Sequence, residues 1–209
     1  MENSNSYHEE MAVISGGTAG LLVPAPGEDI SSALALVNTR LVVAGQPADL
    51  IRDAARAGAW LAERGLLPRG AALRDADVAR LGAFRETMRA LFSARAEGHA
   101  PAPDDVSMFN AALAAAPMAP ALAWDDGGPR RDEQLLGTAA DPAGVALARL
   151  AGDALDLLTR AGGPSPSPCG AHGCIRWFLR THAARQWCSD RCGDRVRAAR
   201  HYVRRRAAG

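Results

Sequence analysis

All four cysteines of the 209-residue chain lie in its last 41 residues, and this feature constrains the fold of the C-terminus more than any other. The cysteines form two close pairs, and an arginine-rich stretch follows them: Cys169 and Cys174, then Cys188 and Cys192. Four thiolates in two pairs are a ligand set for a tetrahedral Zn²⁺. A segment of about 40 residues has too small an apolar core to fold without a metal or disulfides. The pattern therefore predicts a small C-terminal domain built around a metal ion.

The same cysteines could instead form two disulfides, and the cellular compartment decides between the two. The first ten residues contain no basic stretch, no secretory core follows them, and no apolar run approaches the ~20 residues that span a bilayer. We therefore expect a cytoplasmic protein with no membrane partner, in a reducing environment where paired cysteines bind zinc. His172 is an alternative ligand in place of Cys169 or Cys174. Because four cysteines leave no open position for water, the zinc is expected to be structural.

Charge is divided unevenly along the chain, although the formal net charge is only +1. Residues 169–209 contain ten arginines and two aspartates, a net of +8, whereas residues 1–168 contain 14 basic and 21 acidic residues, a net of −7. The chain has no lysine, and the planar guanidinium of arginine can form two hydrogen bonds at once to phosphate or guanine. This division predicts a basic module for a polyanion, carried by an acidic body.

The N-terminal part has mainly helical patterning. Residues 1–28 are rich in Ser, Gly, Pro and acidic residues and are expected to be disordered or loosely attached. Capping residues followed by apolar residues at three- and four-residue steps predict helices, which begin at Ser31 or Ser32, Asp49, Asp75 or Asp77, Pro103, and Asp141-Pro142. Residues 122–136 predict a hairpin around an Asp/Gly turn. We expect a helical domain over 29–163 and a stiff Pro/Ser linker over 164–168 that leads to the zinc domain, 169–209.

The two cysteine pairs differ in kind. Small residues separate the first pair, which favours a zinc knuckle, and an apolar lid is expected from Ile175, Trp177 and Phe178. Ser189 is the expected N-cap of a helix over 190–206, so Cys192 falls in the first turn, where the helix dipole favours a thiolate. The residues expected to pack this helix against the knuckle are Val196, Ala199 and Val203. The fold class predicted is therefore mainly α with a small β-hairpin, ending in a treble-clef-like, four-cysteine zinc finger with a basic helix.

The arginines in and before this helix are the candidate nucleic-acid ligands. They are Arg180, Arg185, Arg191, Arg195, Arg197, Arg200 and Arg204. A helix of this length fits the DNA major groove, with some arginines on phosphates and one or two on guanine edges. The alternative is a solvated basic helix that only keeps a small domain in solution. His182 and His201 are expected to be surface residues.

The segment Cys188-Ser189-x-x-Cys192-Gly193-Asp194-Arg195, preceded by Arg185-x-Trp187 and a cysteine pair, resembles the CGNR zinc-finger family. The N-terminal part resembles the ABATE domain that accompanies this finger. The residues that carry this likeness are Leu34-Ala-Leu-Val-Asn-Thr39, Asp49-Leu50 and Trp60-Leu61-x3-Gly65-Leu66-Leu67. Together the two likenesses cover nearly all of residues 30–206. The resemblance implies a bacterial cytosolic transcription regulator in which the four cysteines bind zinc and the finger contacts DNA.

Two positions depart from the family pattern. Asp194 stands where the family has the asparagine of its CGNR motif, and Leu179-Arg180-Thr181-His182 replaces an Asp-Arg-Ser-like stretch. A carboxylate at position 194 can form an ion pair with Arg180 or Arg191, or it can repel phosphate. These departures leave zinc binding untouched and bear only on DNA recognition.

Three functions remain open from the sequence. The first is a DNA-binding regulator whose N-terminal domain senses a small-molecule effector or forms a homodimer. The second is a biosynthetic-pathway enzyme or accessory protein whose pocket lies in the N-terminal domain. Its candidate ligand-binding residues are Asn38, Thr39 and Arg40, and the candidate walls of the pocket are Trp60 and Trp124. The alternative roles of these residues are turn capping and core packing. No nucleophile–base or phosphate-loop pattern indicates catalysis. The third is an interaction module whose basic helix meets an acidic protein.

Overall fold

The computed structural model of the chain describes residues 23–68, 70–137 and 141–207, and it combines helices with two-stranded antiparallel sheets. The helices described are α1 (Ser32–Val37), α2 (Ala54–Glu63), α3 (Asp75–Glu97), α4 (Pro103–Ala114), α5 (Pro142–Thr159) and α6 (Asp190–Ala207). The strand pairs are β1 (Arg40–Val43) with β2 (Gln46–Asp49), β3 (Met118–Asp125) with β4 (Gly128–Leu135), and β5 (Ser165–Pro168) with β6 (Trp177–Arg180). The predicted fold class is confirmed. None of the helices described here has the length and apolar content needed to cross a membrane.

Most predicted helix starts are confirmed, because local capping groups set them. The hydroxyl of Ser31 accepts a hydrogen bond from the amide of Leu34 at 3.1 Å, and the carboxylate of Asp141 accepts one from the amide of Gly144 at 2.6 Å. At the other end of α3, Gly98 has a φ of 75°, a left-handed conformation that glycine adopts without the steric cost of a side chain. These ends follow from residues within three or four positions of each other.

The prediction that a helix begins at Asp49 is wrong. Asp49 is the last residue of β2, and α2 begins only at Ala54, where the carboxylate of Asp53 caps it by accepting from the amide of Arg56 at 2.9 Å. The β1–β2 hairpin was not predicted because its turn contains Ala44, with a φ of 49°, where Asn, Asp or Gly is the usual signal. The carboxylate of Asp49, at the end of this strand, is held by a distant arginine.

That arginine is Arg85 of α3, which clamps β2 onto the helix. Its two terminal nitrogens donate to the two carboxylate oxygens of Asp49 at 2.8 and 2.7 Å, and one of them also donates to the hydroxyl of Thr39 at 2.8 Å. Burial opposes ionisation of Asp49, but the hydrogen bonds from Arg85 and from the Ile51 amide outweigh it and lower the pKa of Asp49. The pair therefore stabilises the hairpin in its ionised form.

Substitution Asp49→Asn is expected to reduce the free energy of unfolding by about 2 kcal/mol at pH 7, because Arg85 stays buried while it loses its closest carboxylate. Since the pKa of Asp49 is lowered in the folded state, its contribution is complete above its ordinary value near 4 and disappears as pH falls through the lowered value. Urea unfolding at pH 7 and at acid pH measures this. Asp75→Asn, an exposed change in the first turn of α3, is the control. A difference between Asp49→Asn and the unsubstituted chain that persists unchanged at acid pH would contradict the role assigned to the ion pair.

The main hydrophobic core surrounds α3. Its buried residues from α3 include Leu81, Phe84, Met88, Leu91 and Phe92. Phe84 stacks on Phe109 of α4 with ring centroids 5.9 Å apart, and Phe92 lies 5.8 Å from the ring of Trp177 in β6. Trp177 belongs to the cysteine-rich segment. The core therefore extends across the predicted domain boundary.

Two expectations about connecting segments need correction. The predicted linker 164–168 contains strand β5, which pairs with β6 and has Pro166 fully buried. Residues 1–22 lie outside the described residues, but residues 23–28, expected to be loose, are held in place: Ala25 is buried and the carbonyl of Pro26 accepts from the amide of Leu179 at 2.7 Å. The composition of residues 164–168 and 23–28 indicates chain exposed to solvent, but both segments form backbone hydrogen bonds with β6. The division into domains at this boundary stays a prediction.

The predicted Asp/Gly hairpin is confirmed and is longer than expected. Its strands pair in register from Met118 with Leu135 to Asp125 with Gly128. Leu122 and Trp124 are each 73% exposed on this hairpin. Trp124 is therefore neither a pocket wall nor a core residue, whereas Trp60 of α2 packs on the core beneath the guanidinium of Arg64.

Candidate metal centre and nucleic-acid interface

The four cysteines meet in one cluster. Their sulfur atoms all lie within 4.8 Å of one another. The sulfurs of Cys174 and Cys188 are 3.7 Å apart, and those of Cys188 and Cys192 are 3.8 Å apart. A disulfide would require a separation of about 2.0 Å, so the expected disulfide alternative is not what the fold builds. His172 is exposed and is not part of the cluster.

The spacing of the sulfurs fits a zinc ion. A tetrahedron of thiolates with a Zn–S bond of about 2.3 Å has edges of about 3.8 Å, which matches the two distances above. A small cavity of about 20 Å³ lies beside three of the cysteines, Cys174, Cys188 and Cys192, and Val42 of β1 lines it together with Arg195 of α6. The donor set, its spacing and its burial all suit a closed structural site held by Cys169, Cys174, Cys188 and Cys192.

The chemistry of the sulfurs also favours a divalent cation. Hydrogen bonds from Cys174 and Cys188 lower the pKa of Cys169 to about 2. The hydrogen bond to Cys169 raises the pKa of Cys174 to about 11 and is the main cause of a raised pKa at Cys188. Thiols this close cannot all ionise unless a cation neutralises them, so metal binding must displace protons. The affinity of the cluster for a metal ion is therefore expected to decrease as the pH is lowered, because protons compete for the thiolates.

Backbone and side-chain groups support the cluster from outside. The amide of Cys188 donates to the sulfur of Cys169 at 3.4 Å. The predicted cap at Ser189 is confirmed, since its hydroxyl accepts from the amide of Cys192 at 3.3 Å. Arg195 donates to the carbonyl of His172 at 3.2 Å and approaches the sulfur of Cys192 at 3.8 Å. Arg195, a candidate nucleic-acid ligand, thus also orients the knuckle.

Strand β6 divides its side chains between two cores, which corrects the predicted lid. Phe178 is fully buried in the finger cluster with Ala25 and three of the cysteines. Trp177 and Leu179, its neighbours in the strand, belong instead to the main core around α3. Adjacent residues of a strand point to opposite faces, so Trp177 cannot cover the metal site while Phe178 does. The finger therefore shares strand β6 with the core of the helical domain.

Asn38 joins the helical domain directly to strand β6 of the finger. Its side-chain amide donates to the carbonyl of Trp177 at 2.8 Å, and its side-chain oxygen accepts from the amide of Trp177 at 2.7 Å. This reciprocal pair imitates the pairing of two strands. Asn38, only 4% exposed, also donates to the carboxylate of Glu28. Its polar atoms are used inside the fold.

Two arginines that the sequence did not indicate complete the junction. Arg89 of α3 donates to the carbonyls of Val37 at 3.0 Å and Ile175 at 2.8 Å. Arg176 forms an ion pair with Glu28 at 2.7 Å, and both side chains are nearly buried. Removing either partner of a buried pair leaves an uncompensated charge. No local pattern could have revealed these contacts, because the partners are 86 and 148 positions apart in sequence.

Thr39 and Arg40, the other two candidate ligand-binding residues, have different surroundings. Thr39 is 1% exposed; its hydroxyl donates to the carbonyl of Leu36 at 2.7 Å and accepts from Arg85. Arg40 is half-exposed and forms an ion pair with Glu86 at 3.3 Å. The structure thus does not bring Asn38, Thr39 and Arg40 to one pocket. An open trough of about 660 Å³ lies elsewhere, between α2 and residues 70–73, and its described lining is mainly alanine and glycine.

Helix α6 extends beyond the finger that holds its first turns. Cys192 and Gly193 are buried and Val196 is half-buried against the finger cluster. Ala199 and Val203, which were expected to pack on the knuckle, are exposed, Val203 by 65%. The expectation is wrong for these two because the finger contributes no residue opposite the later turns of the helix.

Most of the candidate arginines are exposed residues of α6. Of the seven candidates, six are exposed and Arg185 is half-buried; the six are Arg180, Arg191, Arg195, Arg197, Arg200 and Arg204. Asp194 forms its ion pair with Arg197 at 2.7 Å, so the expected pairing with Arg180 or Arg191 is wrong. The guanidinium of Arg197 also lies 5.7 Å from the ring of Trp187. Arg191 and Arg197 are each three positions from Asp194 on one helix, and the order in which the acidic residue precedes the basic one, as Asp194 precedes Arg197, is the more favourable.

Comparison with known proteins identifies a family for each part of the chain. One family model, ABATE, described as "Putative stress-induced transcription regulator", matches residues 31–161, well over half of the chain. A second, the CGNR zinc finger, matches residues 167–205. A search of curated proteins finds no match. The first matched range ends just before β5, and the second begins within it.

Proposed function

The chain belongs to the ABATE family and ends in a CGNR zinc finger, and from this we propose that it is a zinc-dependent, DNA-binding transcription regulator of the cytoplasm. The four cysteines hold Zn²⁺, which supplies a rigid crosslink and no reaction step. The helical domain fixes the finger through β6. The arginines of α6 and of the preceding loop bind the phosphates and base edges of DNA.

The observation that carries this proposal is the position of the arginines on a helix anchored by the metal site. The first turn of α6 holds Cys192, and the following turns carry Arg200, Arg204, Arg205 and Arg206, all exposed and without a carboxylate partner among the described ion pairs. A helix held at one end and densely cationic at the other suits a polyanion. A helix that served only to keep the domain in solution would not need this anchoring.

Substitution Arg204→Ala is expected to weaken DNA binding and to reduce the salt dependence of the affinity. Each arginine–phosphate contact contributes about 0.9 to the slope of log K against log salt, so the slope should fall by about that amount. Gel-shift titrations of a randomised duplex pool at several salt concentrations measure it. Arg95→Ala, an exposed arginine of α3, is the matched control and should leave the slope unchanged. Absence of binding to any duplex at low salt would refute the proposal, as would a slope that Arg204→Ala leaves unaltered. In the second case an acidic protein becomes the better partner for α6.

A specific observation supports a second role, for the helical domain. The trough beside α2 is open, and the described residues that line it are mainly small and apolar, with Glu63 as the one titratable side chain among them. Such a surface is large enough for a small apolar effector, and it offers no nucleophile–base pair for catalysis. We propose sensing of an effector, or formation of a homodimer, as the task of this domain, in preference to the enzyme alternative.

A further inference from the structure

One stripe of α6 changes its environment halfway along the helix. Cys192, Val196, Ala199 and Val203 follow each other at steps of four, three and four residues, which places them on one side of the helix. The first two belong to the finger cluster, where Cys192 is only 3% exposed. The last two are exposed, and Tyr202 beside them is 61% exposed. The apolar stripe therefore continues into solvent for the final turns.

Arginines border the exposed part of this stripe on both sides. At about 100° per residue, Arg195 and Arg206 fall on one flank, whereas Arg200 and Arg204 fall on the other. The guanidinium of Arg206 lies 5.8 Å from the ring centroid of Tyr202, which is a cation–π contact. The surface is a narrow apolar strip of Ala199 and Val203 between two cationic borders.

This arrangement selects among partners. A second copy of the helix would place arginine borders against each other, which costs energy through like-charge repulsion. A flat anionic surface would meet only one border at a time. A groove with a negatively charged wall on each side meets both borders and leaves the strip facing its floor. The charge pattern is thus complementary to a nucleic-acid groove.

We propose that the last turns of α6 lie in the major groove of double-stranded DNA, with Val203 and Ala199 against thymine methyl groups and the bordering arginines on the phosphates of both strands. This inference rests on the proposed function. The B-DNA major groove is about 12 Å wide and admits a helix about 10–12 Å across. The deep, narrow major groove of double-stranded RNA does not.

Thymine follows from the chemistry of the strip. Its C5-methyl group is the apolar contact that the floor of the major groove offers to apolar side chains. Ala199 has a small side chain that lets the helix approach closely, and Val203 presents two methyl groups. Neither residue can donate or accept a hydrogen bond through its side chain. Val203 is therefore a specificity-determining residue for T·A pairs.

The test uses the full-length protein loaded with Zn²⁺. Duplexes are first recovered from a randomised DNA pool by repeated binding. Binding is then measured to the recovered duplex, to the same duplex with uracil in place of thymine, and to the RNA duplex of the same sequence. The variants are Val203→Ala and, as a control on the opposite face of α6, His201→Ala. Alanine has the higher helix propensity, so a loss caused by Val203→Ala cannot come from a weakened helix.

We expect Val203→Ala to weaken binding about tenfold and full uracil substitution to weaken binding to the unsubstituted protein at least about fourfold, given about 0.8 kcal/mol for each buried methyl group. The uracil effect should shrink in Val203→Ala, His201→Ala should change little, and the RNA duplex should bind no better than non-specific DNA. If DNA binds but uracil has no effect, or if RNA binds equally well, this inference is overturned and the proposed function survives. If no duplex binds at all, both fail together.

Discussion

Removal of the metal is expected to destabilise the helical domain as well as the finger. Structural zinc contributes about 10–16 kcal/mol in zinc-finger peptides, which is as large as the stability of a whole domain, about 5–15 kcal/mol. Without the metal, the finger no longer holds β6 in place, and β6 supplies Trp177 and Leu179 to the main core. Each buried side chain of this size contributes about 2–3 kcal/mol. We therefore expect the helical domain to lose about 5 kcal/mol on chelation.

Hydrogen exchange on the full-length chain measures this directly. After chelation, amides of α3 around Phe92 should exchange much faster, together with those of residues 169–207. Cys188→Ser should reproduce the effect, because Cys188 is 2% exposed and lies between two other sulfurs. His172→Ala, an exposed change between the first two cysteines, is the control and should retain the metal. If only residues 169–207 lose protection while α3 keeps it, the finger is an independent unit and the shared core contributes little.

Substitution Gly27→Ala is expected to be among the most destabilising single changes outside the cysteines. Gly27 has a φ of +98°, and a methyl group there would lie 2.4 Å from Cγ and 2.7 Å from Cδ1 of Leu179. The backbone conformation costs about 1–2 kcal/mol for any L-residue, and forcing a methyl group into a packed contact adds about 1–3 kcal/mol. The expected loss in the free energy of unfolding is about 3–5 kcal/mol, measured by urea denaturation of the zinc-loaded chain.

Gly45→Ala provides a matched control for this prediction. Gly45 has a φ of +83°, and no atom lies within 4 Å of a methyl group placed there. It should cost only the conformational part, about 1–2 kcal/mol. Leu179→Ala should reduce the additional cost of Gly27→Ala, since it removes the atoms that clash. Equal losses for both glycines would show that the contact with Leu179 is unimportant to stability.

Much of the site was predictable because its signals are local. The two cysteine pairs, the cap at Ser189 and the cap at Asp141 each depend on residues a few positions apart, and all three are found as expected. The errors share one cause. Asp49 was expected to start a helix with its carboxylate as the cap; it lies at the end of β2 instead, and Arg85, 36 positions away, holds that carboxylate. Trp177 was expected to cover the metal site, and it lies against Phe92 instead.

The sequence by itself determined the two cysteine pairs, the capped helices and the concentration of positive charge at the C-terminus, since all of these depend on neighbours along the chain. Only the tertiary structure decided that the finger is joined to the helical core, through Asn38 and Trp177, 139 positions apart. Only the tertiary structure, likewise, left Ala199 and Val203 uncovered. The physical reason is the same in both cases: whether a side chain is buried depends on what lies across from it, and sequence periodicity specifies a face of a helix or strand without specifying its partner.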